Sequence, residues 1–218
     1  MRKLSDLVRA VSVIENGASI MIGGFMCCGQ PFGLIDAMIE KDIGDLTVVC
    51  NDAGYPGKGV GKLVEQGRIK HLITSHIGLN PIAGKKMHAG EMKVELVPQG
   101  TLVERIRAWG AGLGGILTPT GLGTEVEKGK QKCRIGEVDY LIEPALGADY
   151  ALVKADMVDE LGNGFIGKAQ KNFNIVMAMA ARHAIVETGK VVAVGDIGTD
   201  QVNLPGIFIK TVVEVARG

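Results

Sequence analysis

The amino-acid sequence predicts an α/β fold with an open, mostly parallel sheet flanked by helices, and three observations carry that expectation. Ile20-Met21-Ile22 is an apolar run long enough to begin a buried strand, and Gly23 and Gly24 follow at once. After Pro31, apolar residues recur at Leu34, Ile35, Met38 and Ile39, which is helical spacing. Strand, glycine loop and helix thus share one stretch, and open α/β sheets bind ligands at such junctions. Along the rest of the chain, short β-rich runs alternate with helical ones, the pattern of a parallel sheet. No Pro/Ser linker, charge block or internal repeat interrupts the 218 residues, so 1–218 are expected to form a single domain.

Taken in order, Leu4, Leu7, Val8, Val11 and Ile14 predict an amphipathic helix over 4–14, with Ser5 or Ser12 as its cap, and Asn16-Gly17 a turn. The 19–40 unit follows. Leu46–Cys50 is a second strand ending in the polar, glycine-rich loop 51–59, and residues 63–66 form a short helical piece. His71–Ser75 is a third strand, followed by the turn-rich segment His76–Pro81 and a helix near 82–89. Val94–Val97 is a fourth strand, stopped by Pro98. A helix then carries Leu102, Val103 and Ile106, with Thr101 as N-cap and Glu104 completing a capping box. Residues 110–124 hold too much glycine for a helix and predict an extended loop that packs against something or is covered by a partner. Residues 131–143 alternate as a hairpin turning at Ile135–Val138. Tyr150–Ala155 and His183–Glu187 are strands, Ile175–Ala181 is a buried helix capped by Asn172 or Asn174, and 191–194 and 207–215 add strands.

Composition removes several functions. The formal net charge is zero, without the basic footprint of a nucleic-acid binder. No apolar stretch reaches the roughly 18 residues of a membrane span. Cys27, Cys28, Cys50 and Cys133 form neither a C-x-x-C pair nor a Cys/His metal pattern, so no metal site is expected, and they suit reduced thiols in a cytoplasmic protein. The 32 glycines are about double the average share of roughly 7% and sit at the ends of apolar runs, where tight loops and close backbone approaches belong.

No catalytic set familiar from other chemistries is present. Gly23-Gly24 with Gly29 lacks the dinucleotide spacing, no Gly-Lys-Ser/Thr follows, and neither G-x-S-x-G nor H-E-x-x-H occurs. Instead the predicted strand ends carry glycine plus an amide or hydroxyl: Gly23/Gly24, Asn51, Ser75/His76 and Gln99/Gly100. Uncharged hydrogen-bonding groups of this kind suit a carbonyl or thioester oxygen that gathers negative charge.

Residues 16–31, with Asn16-Gly17, the apolar triplet and Gly23-Gly24-Phe25…Gly29-Gln30-Pro31, resemble the signature of the family I CoA-transferases. Asn51-Asp52, Ser75–Gly78, Val97–Leu102, Gly110–Gly115, Thr118–Gly121 and Lys171–Asn174 extend the resemblance, in order, over nearly the whole chain, toward the α subunits of acetate or butyrate–acetoacetate CoA-transferases. The resemblance implies a sheet of the kind shared with ribose-phosphate isomerase-like proteins. It implies CoA exchange between a short-chain acyl-CoA and a carboxylate such as acetoacetate, acetate or butyrate. The chemistry is ping-pong, on a glutamate of a β subunit in a heterotetramer or heterooctamer. CoA is then a substrate, with no permanently bound cofactor and no catalytic nucleophile in this chain. Gln99 and Asn51 match substrate-pocket positions, with Gly23, Gly24 and Gly29 shaping the wall.

Plainer roles stand beside these. The three glycines also suit turn geometry and helix–strand packing, Pro31 helix initiation, His76 a surface position, Glu104 a cap or ion pair, and Lys171–Asn174 the start and packing of a helix. Trp109 stands where the family usually has glycine, and Leu79 where threonine is common. Trp109 either narrows the pocket or faces the β subunit. A competing reading of the whole chain is a non-catalytic α/β module that binds a phosphate or sugar phosphate.

Overall fold

The computed structural model describes residues 3–215. The chain runs β1 (Leu4–Ser5), α1 (Leu7–Val11), β2 (Ser19–Ile22), α2 (Phe32–Glu40), β3 (Leu46–Asp52), α3 (Val60–Glu65), β4 (Ile69–His76), α4 (Pro81–His88), β5 (Lys93–Leu96) and α5 (Gln99–Gly110). It continues with β6 (Gly115–Thr118), β7 (Lys132–Ile135), β8 (Val138–Pro144), β9 (Ala148–Ala155), β10 (Met157–Asp159), β11 (Gly164–Phe165), α6 (Lys171–Met179), β12 (Ala181–Thr188), β13 (Val191–Val192) and β14 (Ile209–Glu214).

Eight strands form the central sheet in the order β1-β14-β12-β9-β2-β3-β4-β5, and every neighbouring pair is parallel. From β2 the chain steps outward through β3, β4 and β5, then returns to lay β9, β12 and β14 on the other side of β2. The direction of winding therefore reverses between β2 and β9. Strand residues alternate between two cores, as period-2 geometry requires. Ile20, Ile22, Val48, Leu72, Leu152 and Ile185 face α1–α4, whereas Met21, Val49, Ile73, Ala151, Val153 and Val186 face α5 and α6. Both faces are covered, which is why these strands are nearly continuous apolar runs.

Several sequence expectations need correction. Residues 4–14 are not one helix: Leu4–Ser5 pairs with β14, and the helix starts after Asp6, whose carboxylate accepts from Arg9 N. Ser12 lies at its C-terminus. Thr101 is not a cap, because α5 begins two residues earlier behind Pro98; Glu104 pairs with Arg107 instead. Asn172 and Asn174 do not cap α6, which begins behind Gln170, and Ala181 already belongs to β12. The expected strand at 191–194 is two residues long and lies outside the main sheet, paired with β10, and that at 207–215 is shortened to β14. The 110–124 segment is not all loop. Gly115–Thr118 pairs with β8, and the expected hairpin β7–β8 completes a three-stranded antiparallel sheet. Partner strands supply what local propensity lacks. At Gly115 any Cβ would meet Glu143 O at 2.5 Å, so the glycine permits the pairing.

The small sheet is tied to α5 through Glu143, 1% exposed, which takes a 2.5 Å bond from Lys130 and lies 3.9 Å from Arg105. Arg105 also donates to Pro144 O at 2.8 Å. Trp109 sits in the last turn of α5, half exposed, with its indole over Gly147 where a Cβ would overlap it. At about 1.5 Å per residue it lies roughly 15 Å along the helix from Gln99, too far to narrow a pocket there. Gly147→Ala is therefore expected to lower the unfolding free energy by the overpacking cost of about 1–3 kcal/mol, and the thermal midpoint with it. Trp109→Ala added to it should restore most of the loss in a thermal melt.

Candidate functional site

The carboxyl ends of β2, β3 and β4 and the segment after β5 converge on one edge of the sheet, and the sequence-predicted residues meet there. Asn51, 2% exposed, closes β3, and the exposed Gln99 opens α5. Gln99 Nε2 donates to Asn51 Oδ1 at 2.6 Å. Asn51 Nδ2 donates to Asp52 Oδ2 at 2.7 Å. Ser75 Oγ, at the end of β4, donates to the Asn51 carbonyl at 2.6 Å and approaches Asn51 Oδ1 at 3.3 Å. Both polar atoms of the Asn51 side chain are engaged within the protein, so it is placed to orient Gln99, and Gln99 carries the amide that reaches solvent. His76 is on the surface, as expected.

Asp52, 1% exposed, joins this set to the glycine loop. Its Oδ2 accepts from Met26 N at 2.8 Å and its Oδ1 from Gly54 N at 3.0 Å. Phe25 and Cys28 exchange two backbone bonds around Met26 and Cys27, whose φ values of +46° and +69° make a two-residue turn in the left-handed region. That region costs L residues roughly 1–2 kcal/mol each, and the Asp52 bond helps hold it. Cys50 lies in the core under α1–α4; burial, reinforced by the Asp52 charge, pushes its thiol well up and removes it as a nucleophile at neutral pH.

The glycines owe their identity to packing. A Cβ on Gly23 would overlap Asn174 Oδ1, and one on Gly29 would meet Asn174 Nδ2 at 2.8 Å. Asn174, fully buried in α6, accepts from Lys154 N at 3.0 Å and donates to Gly29 O at 3.0 Å and Gln170 O at 2.8 Å. Gly24, at φ +119°, faces Gln30, whose Oε1 caps α3 by accepting from Val60 N at 3.1 Å. Across the β2–β9 seam, Glu187 Oε2 accepts from Leu34 N at 3.0 Å and its Oε1 lies 3.5 Å from Lys154 Nζ. Asn174, Asp52 and Ser75 all fall in segments that carry the family resemblance; Ser75 was legible as a strand-end hydroxyl, whereas nothing local marked Asn174 or Asp52 beyond helix entry and turn chemistry. Glu187 had no local signal, because its partner lies 153 residues away.

A profile described as Coenzyme A transferase matches residues 5–215. The chain belongs to the coenzyme A transferase family. It is 50% identical over 203 residues to the acetoacetyl-CoA:acetate/butyrate CoA transferase alpha subunit of Clostridium acetobutylicum, covering 93% of each chain. To the acetate CoA-transferase subunit alpha of Escherichia coli K12 it is 44% identical over 211 residues, covering 97% of this chain and 96% of that one. In three dimensions it matches an acyl-CoA transferase of Escherichia coli O157:H7, solved as a thioester complex with CoA, at a TM-score of 0.85 and 20% identity. That match takes in 98% of this chain but 47% of the larger one, so this coenzyme A transferase chain spans about half of that protein and shares its fold.

Two outcomes check this geometry. Burial raises the Glu187 pKa above the ordinary carboxyl value, against the opposing pull of Leu34 N–H and Lys154. The folded chain therefore holds the proton more tightly than the unfolded one. The stability Glu187 contributes is present at acid pH and lost as pH rises through its raised folded value. Glu187→Gln, which keeps an acceptor for Leu34 N but cannot ionise, should gain in thermal midpoint over the native chain as pH rises from 4.5 to 8; a gain that shrinks would contradict it. Gly23→Ala should dislodge the Asn174 amide and lower the unfolding free energy by about 1–3 kcal/mol, measured by urea titration.

Proposed function

We propose that this chain is the α subunit of a CoA-transferase that moves CoA between a short-chain acyl-CoA and a carboxylate such as acetoacetate, acetate or butyrate. The observation that carries the reading is the Gln99–Asn51 amide pair at the carboxyl edge of the sheet. It is found in a chain half identical to a subunit named for acetoacetyl-CoA, acetate and butyrate. The exposed Gln99 amide offers an N–H to the substrate carboxylate or to the oxyanion formed when the thioester is attacked. Asn51 holds it in place, and the 23–31 loop, with Gly23, Gly24 and Gly29, forms the adjoining wall.

The nucleophile comes from a glutamate of a β chain, and the enzyme works by a ping-pong sequence. That carboxylate attacks the acyl-CoA thioester and releases CoA thiolate, leaving an acyl-glutamyl anhydride. The thiolate then attacks the anhydride at the glutamyl carbonyl, freeing the acyl carboxylate and leaving a glutamyl-CoA thioester. The second carboxylate reverses these steps. Relatives named as alpha subunits support the need for a partner, and the assembly we propose with it is a heterotetramer or heterooctamer. CoA enters and leaves as a substrate, with no resident cofactor in the scheme. Four unpaired cysteines suit a cytoplasmic setting, and among the described residues no helix is long and apolar enough to cross a membrane.

The chain should be purified alone and with its β chain, and CoA exchange between acetoacetate and butyryl- or acetyl-CoA measured for both. Activity is expected in the complex only, and full activity in the lone α chain would sink the proposal. In the complex, Gln99→Ala is expected to lower kcat/KM by roughly tenfold to thousandfold, the loss typical of one oxyanion-type hydrogen bond. An unchanged rate would remove Gln99 from the site.

A further inference from the structure

Asp52 is a buried carboxylate that the reaction scheme leaves without a role, and its chemistry fixes the orientation of every amide beyond it. An ionised carboxylate only accepts hydrogen bonds. Asn51 must therefore turn its Nδ2 toward Asp52 Oδ2, at 2.7 Å, and its Oδ1 away. The Oδ1 so placed faces Gln99, which donates to it at 2.6 Å, while Ser75 Oγ, whose single proton goes to the Asn51 carbonyl, lies 3.3 Å away. Gln99 must then spend one N–H inward. It presents to solvent its other N–H and its Oε1. The remaining bonds of Asp52, from Met26 N and Gly54 N, anchor it to the glycine loop and to the segment after β3, so it cannot swing to release Asn51.

We infer that Asp52 is a positioning residue that sets the donor–acceptor sense of the Asp52–Asn51–Gln99 chain, so that Gln99 meets its ligand with a single N–H. This deepens the proposed function and rests on its assignment of Gln99 to the substrate. Replacing the acceptor at one end of the chain should change what the other end can do, although Asp52 itself lies beneath Asn51, buried from solvent.

The test is made on the α–β complex with Gln99→Glu. With Asp52 present, Asn51 keeps Oδ1 toward position 99, so the new carboxyl keeps the bond only when protonated and able to donate. Its titration, followed by carboxyl carbon-13 NMR, should lie above the ordinary glutamate range. Its kcat/KM relative to the native complex should rise by up to tenfold per pH unit on acidification from pH 8. In the double variant Asp52→Asn/Gln99→Glu, Asn51 is free to turn and donate from Nδ2. The glutamate should then titrate in its ordinary range, and kcat/KM at pH 8 should exceed that of Gln99→Glu alone by about tenfold. A merely structural Asp52 predicts the reverse, losses that multiply and a titration unchanged between the two variants. An ordinary titration of the glutamate in the single variant overturns the inference by itself, even where Asp52→Asn does not fold. The native complex, run in parallel, separates the two readings: a native complex without CoA transfer counts against the proposed function, whereas the NMR titration judges Asp52 without any turnover.

Discussion

Much of this structure depends on one side-chain amide standing where two side chains are missing. Asn174 fills the space that Cβ atoms on Gly23 and Gly29 would occupy, and its hydrogen bonds reach three separate segments. A buried amide left unpaired would cost about as much as a lost hydrogen bond or more, so the loop, the end of β9 and the start of α6 must arrive together. The glycine loop is thereby fastened to the far half of the sheet, across the seam where the winding reverses. The loop in turn gives Asp52 its bond from Met26, and Asp52 holds Asn51. Geometry at Gln99 is thus linked, through Asp52 and the loop, to contacts made by α6 and β9.

The candidate site is polar but nearly uncharged. Its working groups are two amides, a hydroxyl and backbone N–H groups, ordered by one carboxylate beneath them. Such an assembly stabilises charge that develops on a substrate oxygen better than it attacks a carbon. In the function proposed above, a second chain brings the nucleophile, and the exposed Gln99 offers its amide to the shared site.

The alternation of strands and helices was legible because both faces of the sheet are covered, which turns each central strand into an apolar run bounded by glycine or a turn. What was not legible was whatever depends on a distant partner. Leu4–Ser5 joins a strand because β14 lies beside it, and Gly115–Thr118 becomes a strand because β8 does. The start of α5 was misplaced by three residues because Pro98, not Thr101, occupies the position before the helix. In the site, Gln99 and Asn51 stood out through motif resemblance, and their contact is a product of folding. The glycines were expected to shape the wall of a site or to serve turn geometry and packing, and their Cα faces are turned toward Asn174 and Gln30.

The neighbours of β2 carry a consequence for how the chain assembles. On one side β2 pairs with β3, which follows it closely in sequence, but on the other it pairs with β9, with Ile20 beside Tyr150. During synthesis, the strand that becomes the centre of the sheet is for a time an open edge. About 130 residues separate the paired Ile20 and Tyr150, and pairings so distant form slowly because loop closure precedes any gain from contact. A nascent chain stalled within the small β6–β8 sheet would present β2 and its glycine loop unpaired, and an unpaired apolar edge invites association with other chains. The segment that shapes the finished site is thus the one most in need of protection before β9 emerges.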